Sequence, residues 1–487
     1  MPLILGAQSA TATGFSIDNS CRLNSSAGAQ MYRAQGTTTG TGTKATFSGW
    51  FKKGIYMSTG GMIRLADAAA TSMFAIYDNG ADISYGVINS SGCVGRLVTD
   101  AKLRDPGAWT HVFCVWDTTL GAAADRMQMW INGIRITSFS TQTNPTLNLT
   151  IDCLDNSVVT RQQLFSYTYG GGSYYDGYAS QICWMDGQAY AATDFGEFDE
   201  DSPSIWKPKD PSALTFGDEG FYLDYGDSAD MGADVSGNSN DMTTVTAVDA
   251  ADQATDSPTN NFCTMNPLEY MGGSSPTFSE GNCQYVQGGV SQYYPASATV
   301  ALTAGKWYWE VQSTNGANNT SLFGIAGDAA IGANMSSYSN QVLGYTAQQW
   351  AYYGNNGNYR TNNGNVSYGT GFYGNVIIGV YLDLDNNKLY FANGGTIQNS
   401  GTGITITAVA STNARYYVPA NNYWGGSDTF QYNFGGCPAF AVTSAQQDAN
   451  GYGNFEYSPN DGGSASFDGS AKDFLAICTK NLGSSGG

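Results

Sequence analysis

Three carboxylates within four residues, Glu197, Asp199 and Glu200 of the run GEFDED, are the first place in this chain to look for acid–base chemistry. Cleavage of a glycosidic bond needs two carboxyl groups flanking it, one protonated as acid and one ionised as nucleophile or base. Such carboxylates are aimed into a cleft from apolar strands, with the acid's pKa raised by its surroundings. Here the run lies between TDF and SPSIWKPKDP, among turn formers and prolines, so it reads as a solvated acidic loop. His111 is the single histidine, so a histidine-based triad would have to use it. No G-x-S-x-G elbow accompanies it, and THVFCVWD predicts a packed or surface strand residue. Nine cysteines, scattered from Cys21 to Cys478 without a C-x-x-C pair, offer neither a four-thiolate zinc site nor a regular disulfide framework. No phosphate-cradling glycine loop precedes a helix. The chain is expected not to be an enzyme; a glycan hydrolase using Glu197 is the alternative.

Binding chemistry is better represented. QQWAYYGNNGNYRTNNGN, residues 348–365, combines Trp350, Tyr352, Tyr353, Tyr359 and Arg360 with a series of asparagines. NNYWGG adds Tyr423 and Trp424, and YGGGSYYDGY adds Tyr174 and Tyr175. Aromatic faces stack on sugar rings and amides bond their hydroxyls, so these nine residues are candidate ligand contacts and a glycan is the expected ligand class. The competing reading places half of the rings in the core, since tyrosine is commonly half-buried. DVSGNSND, residues 234–241, groups the side-chain oxygens of Asp234, Asn238, Asn240 and Asp241 around a glycine, as a calcium loop does. Its alternative is a metal-free Asx turn. No other cofactor is expected.

The elements that must position these residues read as strands. In GNVIIGVYLDLDNNKLYFANGG, residues 374–395, apolar residues alternate from Val376 to Leu384, break at Asp385-Asn386-Asn387 and resume at Leu389 and Phe391. That pattern predicts a long hairpin with one apolar face. ATFSGWFKKG, SMFAIYDNGADISYG, AWTHVFCVWD and RMQMWINGIRI behave likewise, with turns at Asp78-Asn79-Gly80 and Asn132-Gly133. Charged residues make up only 12% of the 487, while aromatics reach 13%, which gives these strands core material and argues against disorder. Twenty basic residues face 40 acidic ones, a net charge of −20 that repels phosphate backbones and excludes nucleic acid as a partner. No apolar run is long enough for a membrane-inserted helix, and MPLILGAQSATATG lacks the charged and apolar regions of a secretory signal. The expected fold is all-β: two β-sandwich (jelly-roll type) domains joined by a long connector, with an N-terminal arm. Its boundaries are 1–40 for the arm and first strand, 41–228 for the first sandwich, 229–285 for the connector, 286–460 for the second sandwich and 461–487 for a C-terminal segment with a flexible tail.

Several of these runs resemble known families. GKWYWEV (residues 305–311), FGIAG, LGY, the long hairpin, YYVPA and FQYNFGGCPAF follow one another as in the SPRY family, a β-sandwich used for recognition. The order W-T-H-V, D, a strand ending in N-G, then Y-D-G-Y resembles the concanavalin A-like lectin/glucanase superfamily, nearest its laminin-G and pentraxin-like branches. That superfamily includes glycosidases whose acidic strand GEFDED superficially resembles, and laminin-G-like domains carry a motif resembling DVSGNSND. The opening residues and DSPTNNFCTMNP resemble phage-encoded proteins. These resemblances imply a bacteriophage virion protein, made in the host cytoplasm and displayed as a tail, fibre or capsid-decoration component. It would bind other virion proteins through the N-terminal arm, adhere to a host surface glycan or protein, and act as a homo-oligomer. A purely structural capsid or tail subunit is the competing implication.

Overall fold

Period-two alternation becomes strand throughout a computed structural model of the chain, which describes residues 4–5, 14–36, 41–55, 58–155, 160–270, 276–290, 296–314, 320–327, 342–409, 414–423, 426–460, 467 and 473–485. The chain is nearly all β and divides into two compact units, Ala12–Thr259 and Asn260–Gly487, the second also taking in Met1–Thr11.

The first unit is a sandwich of two antiparallel eight-stranded sheets. One sheet runs Ile134–Arg135, Met127–Ile131, Trp109–Asp117, Lys44–Lys53, Gly177–Asp186, Ser20–Leu23 and Gln253–Ala254, with Phe221–Leu223 also on Gly177–Asp186. The other runs Phe139–Thr143, Gly92–Thr99, Asp82–Asn89, Met73–Asn79, Gly60–Ala66, Arg161–Leu164, Gln30–Ala34 and Thr244–Thr246. Alternate residues of both sheets meet in one core, where Phe74 meets Trp184 edge-on at 5.0 Å across the layers. Burying side chains of this size contributes roughly 1.5–3 kcal/mol each. The Asn132-Gly133 turn has φ of 48° and 73°, the left-handed pair a tight hairpin turn requires.

The domain boundaries differ from expectation at both ends of this unit. Residues 20–34, assigned to an arm and its first strand, contribute Ser20–Leu23 and Gln30–Ala34 well inside the two sheets. Much of the expected connector 229–285 belongs to the first sandwich too, since Thr244–Thr246 and Gln253–Ala254 extend one sheet each. These strands are too short to show alternation and are held by side chains. Asp256 accepts from Lys52 Nζ at 2.7 Å and from Trp109 Nε1 at 2.9 Å, with both charged groups 1% exposed, while Arg22 pairs Asp252 at 3.0 Å.

The second unit has a seven-stranded and a nine-stranded sheet. The seven-stranded sheet runs Met265–Tyr270, Ala296–Ala298, Tyr417–Asn422, Leu322–Gly327, Gln349–Tyr353, Tyr359–Thr361 and Gly364–Val366. At the centre of the other sheet, Gly426–Asn433, Lys306–Ser313, Ile378–Asp383 and Lys388–Asn393 lie side by side. Tyr352 stacks on Phe391 at 5.1 Å and Phe323 meets Phe430 at 5.8 Å, closing the layers. The expected hairpin is present as Ile378–Asp383 and Lys388–Asn393, but it is buried on both faces. Tyr381 and Tyr390 on its second face, with Tyr308 of the neighbouring strand, form a cluster with Phe467 and Phe474, so the C-terminal segment covers it. In that segment Leu475–Ala476 pairs in parallel with Trp307 and Tyr308, and Thr479–Ser485 is helical, while the last two residues of the expected flexible tail lie outside the described residues. From the N-terminal arm, Ile4–Leu5 pairs in parallel with Val300–Ala301.

All nine cysteines are free thiols; eight are buried and Cys93 is exposed.

Candidate recognition site

The meander Gln349–Tyr353, Tyr359–Thr361, Gly364–Val366 carries five of the candidate ligand residues and separates them by alternation. Tyr352 faces inward, fully buried among Tyr368, Phe372 and Phe391, with its hydroxyl donating to the Thr370 carbonyl. Trp350 is buried edge-on against Tyr417 at 5.7 Å. Tyr353, one residue on, is half-buried, and the Arg360 guanidinium lies 6.0 Å from its ring centre. Arg360 has no hydrogen bond or ion pair among the described residues, and its Nε is enclosed without a partner. Tyr359 is half-buried, edge-on to Tyr368 at 6.0 Å and opposite Val366 in register. The asparagines of the run are turn formers: Asn362 and Asn363 have φ of 48° and 56°, which sets the tight turn joining the last two strands.

Tyr423 is buried against Phe430 and Tyr175 against Phe51, so both are core residues, not ligand contacts. Each stands just outside a strand, Tyr423 after Tyr417–Asn422 and Tyr175 before Gly177–Asp186, where alternation assigns no face. Tyr174 is half-buried, and Trp424 lies outside the described residues. Sequence reasoning missed the exposed Tyr373 and Val366, 63% and 43% accessible. Val366 sits on the terminal strand of the sheet, and Gly354 and Phe372 share a backbone bond beside Tyr373. What the structure brings together is therefore a rim: Tyr353 and Arg360 on one face, Tyr359 and Val366 on the other, along an open edge.

The calcium-loop candidates satisfy one another. Asp234 Oδ1 accepts from the Tyr222 and Ser236 amides and Oδ2 from Ser236 Oγ and the Asn240 amide, all within 2.9 Å. Asp241 accepts from the Asp234 amide at 2.8 Å. Asn238 and Asn240 turn their amide nitrogens to the Gly220 carbonyl, and Asn240 Oδ1 receives Arg33. Both Asp234 oxygens and Asp241 Oδ1 are used in closing an Asx-rich turn. No cluster of three His, Cys, Asp or Glu residues suited to a metal occurs among the described residues.

The acidic run forms a short ladder, Gly196–Phe198 with Trp206–Pro208. Asp199 pairs with Lys207 at 3.0 Å and caps the Asp201 and Ser202 amides; the bond from Lys207 holds its carboxyl below the usual range. Glu197 is exposed, 3.6 Å from Lys209. The Asp199 environment is thus the reverse of what a general acid needs. His111 is fully buried, with Nε2 2.8 Å from Ser48 Oγ. The Trp206 indole donates to Nδ1 at 3.1 Å, so Nε2 carries the proton and donates it to the serine. That direction is opposite to the one that activates a serine nucleophile. Burial pulls the imidazole down to about 3, keeping it neutral.

Glu310 is the motif residue whose role the structure explains best. It is buried opposite Asn433, so the tryptophan–glutamate and asparagine–phenylalanine–glycine runs meet directly, with Asn433 Nδ2 2.8 Å from Oε2. Tyr308 Oη and the Glu456 and Tyr457 amides also donate to it, at 2.8–3.0 Å. Burial still pushes the carboxyl up to about 7 against these donors.

Fold and site together define a two-sandwich protein with an arginine–tyrosine rim along one sheet edge. Residues 306–436, which include that rim, match the SPRY domain family. Among solved structures, the SPRY domain of human HERC1 is similar at 15% identity and TM-score 0.28, over 36% of this chain and 99% of that one. A heptameric SAP-like pentraxin from Limulus polyphemus matches at 15% identity and TM-score 0.27, over 36% and 78%. The TRIM65 PSpry domain matches at 13% identity and TM-score 0.26, over 35% and 89%. Comparison with curated proteins gives no match.

Proposed function

We propose that the chain is a non-catalytic recognition protein of a bacteriophage particle, a tail, fibre or decoration component that adheres to a host surface glycan or protein. The observation that carries the recognition reading is the rim of the SPRY-type sandwich. Arg360 stands there without an acidic partner beside the half-buried Tyr353, next to an open strand edge. Arginine and tyrosine in this setting are the residue types that dominate binding energy in interfaces. The virion setting is supported by the phage-like opening residues and the DSPTNNFCTMNP run. Presentation in many copies would convert modest single-site affinity into avidity. The open edge at Gly364–Val366 also favours a second reading, a structural subunit that adds a neighbour's strand there.

The test is binding of the full chain to host envelope fractions and a glycan array, against Tyr353→Ala and Arg360→Ala. Adhesion predicts at least about a tenfold loss, 1.4 kcal/mol, with an unchanged melting curve. Unchanged binding in both variants overturns the rim as the site. Reducing-end release from a polysaccharide, abolished by Glu197→Gln, would replace the reading with hydrolysis.

A further inference from the structure

In the first sandwich, the face of the second sheet turned away from the core carries an arginine–tyrosine array. The sequence reading did not include it, apart from the neighbouring loop that supplied Tyr174. The residues Tyr32, Gln163, Arg64, Ala75, Gly86 and Arg96 are partners in register, one per strand, straight across six strands. Arg161, two residues from Gln163, shares their face. Its guanidinium is sandwiched between Tyr32 and Tyr169, 3.9 and 4.4 Å from the ring centres. Tyr169 also covers Arg64, at 5.4 Å.

Arg64 is only 3% exposed, yet it makes no hydrogen bond or ion pair among the described residues, and its Nη1 is enclosed without a partner. Arg161 has its two rings and no acceptor, and Arg96 has a single long bond, 3.4 Å, to the Tyr77 hydroxyl. The neighbouring carboxylate, Asp67, is engaged by Thr71 Oγ1 at 2.6 Å and the Ser72 amide at 3.2 Å. In a chain with twice as many acids as bases, these three arginines form no ion pair with a carboxylate among the described residues, and Asp67 acts on Arg64 only through its field. A guanidinium has five donors in a planar fork that fits an oxyanion, and burying one without an acceptor is costly unless something supplies it.

We propose that this face binds an acidic polysaccharide. An oxyanion of the ligand is received by Arg64 and Arg161 beneath Tyr169, and its sugar rings lie on Tyr169 and on Tyr167, which packs 4.4 Å from Tyr77 beside Ala75. Arg96 takes a second charge three strands away, about 14 Å at the usual strand spacing, so a chain with repeated charges fits better than one isolated anion. Between the two arginines of the row stand only Ala75 and Gly86, and a Cβ on Gly86 would meet open space. Gly170, Gly171 and Gly172, with φ of 86°, 110° and 128°, follow directly on Tyr169 and give its loop a turn that glycine alone adopts easily. This site is on the first sandwich and does not rest on the reading of the SPRY rim.

The experiment is calorimetric titration of the full chain with polygalacturonate, dextran sulfate and uncharged dextran. At 0.15 M salt, where the screening length is about 8 Å, the distant acidic surface is muted. Binding of a polyanion without binding of dextran is expected, weakened at least about tenfold by Arg161→Gln and by Gly86→Phe. Preference for polygalacturonate identifies a carboxylate ligand, and preference for dextran sulfate a sulfate- or phosphate-like one. Gly86→Phe decides the matter if Arg161→Gln lowers the melting temperature. Tyr353→Ala should leave this titration unchanged, which separates it from failure of the rim. Absence of binding to both polyanions, or equal binding by folded Gly86→Phe and wild type, overturns the proposal.

Discussion

Each sandwich buries a carboxylate where distant parts of the chain meet, and the two are matched differently. Asp256 in the first is met by a buried cation, Lys52, and an indole N–H. Glu310 in the second is met by four uncharged donors. The first arrangement cancels charge with charge and fails if either partner goes. The second spreads the anion over dipoles and leaves it open to protonation. A buried acid can thus lock a short strand that lacks alternation, or couple a fold to pH, depending only on what faces it.

The largest effect should come from breaking the ion pair. Lys52→Met leaves Asp256 buried and uncompensated, and should destabilise the first sandwich by about 3–5 kcal/mol in chemical denaturation. A loss below about 1 kcal/mol would mean that the Trp109 bond and the other contacts of Asp256 suffice. Next, Glu310→Gln turns an amide donor toward groups that already donate, and should destabilise the second sandwich by about 1–3 kcal/mol.

The pH profile sharpens the contrast. Between pH 4.5 and about 7 folded Glu310 keeps a proton that the unfolded chain has released, so its contribution declines as the pH rises through that window. His111 acts oppositely. Below 6.5 the unfolded chain gains a proton that the folded imidazole refuses down to about 3, so stability is lost as the pH falls. Melting curves from pH 4 to 8 should show the difference between wild type and Glu310→Gln shrinking as the pH rises. The difference between wild type and His111→Gln should shrink as it falls. The smallest effect concerns the Asp234 turn. Asp234→Ala should cost about 0.5–2 kcal/mol through lost caps, while chelator should leave the melting temperature unchanged. Stabilisation by added calcium would restore the metal reading.

Much of the second sandwich was legible in sequence because its strands are long and its motifs lie close to their turns. Asp385-Asn386-Asn387 marks a turn in the sequence and forms one in the structure. Short strands were not legible: Gln253–Ala254 shows no period, and side chains far away in sequence, Lys52 on Asp256 and Arg22 on Asp252, explain it. Of the candidate contacts, Tyr352 and Tyr353 are adjacent and identical in type, yet alternation buries one and leaves the other half-exposed. Asn362 and Asn363 offered amides to a ligand on paper, but their backbone conformation is what the fold uses. Arg64 was invisible for a different reason. A missing partner cannot be read along a chain; it is apparent only once the strands are placed side by side.

The cysteines give the molecule a built-in reporter. With eight thiols enclosed and Cys93 exposed, a maleimide should attach once to the native chain and nine times to the unfolded one. Mass spectrometry of the labelled chain would therefore count opening events thiol by thiol, and show which sandwich lets reagent in first.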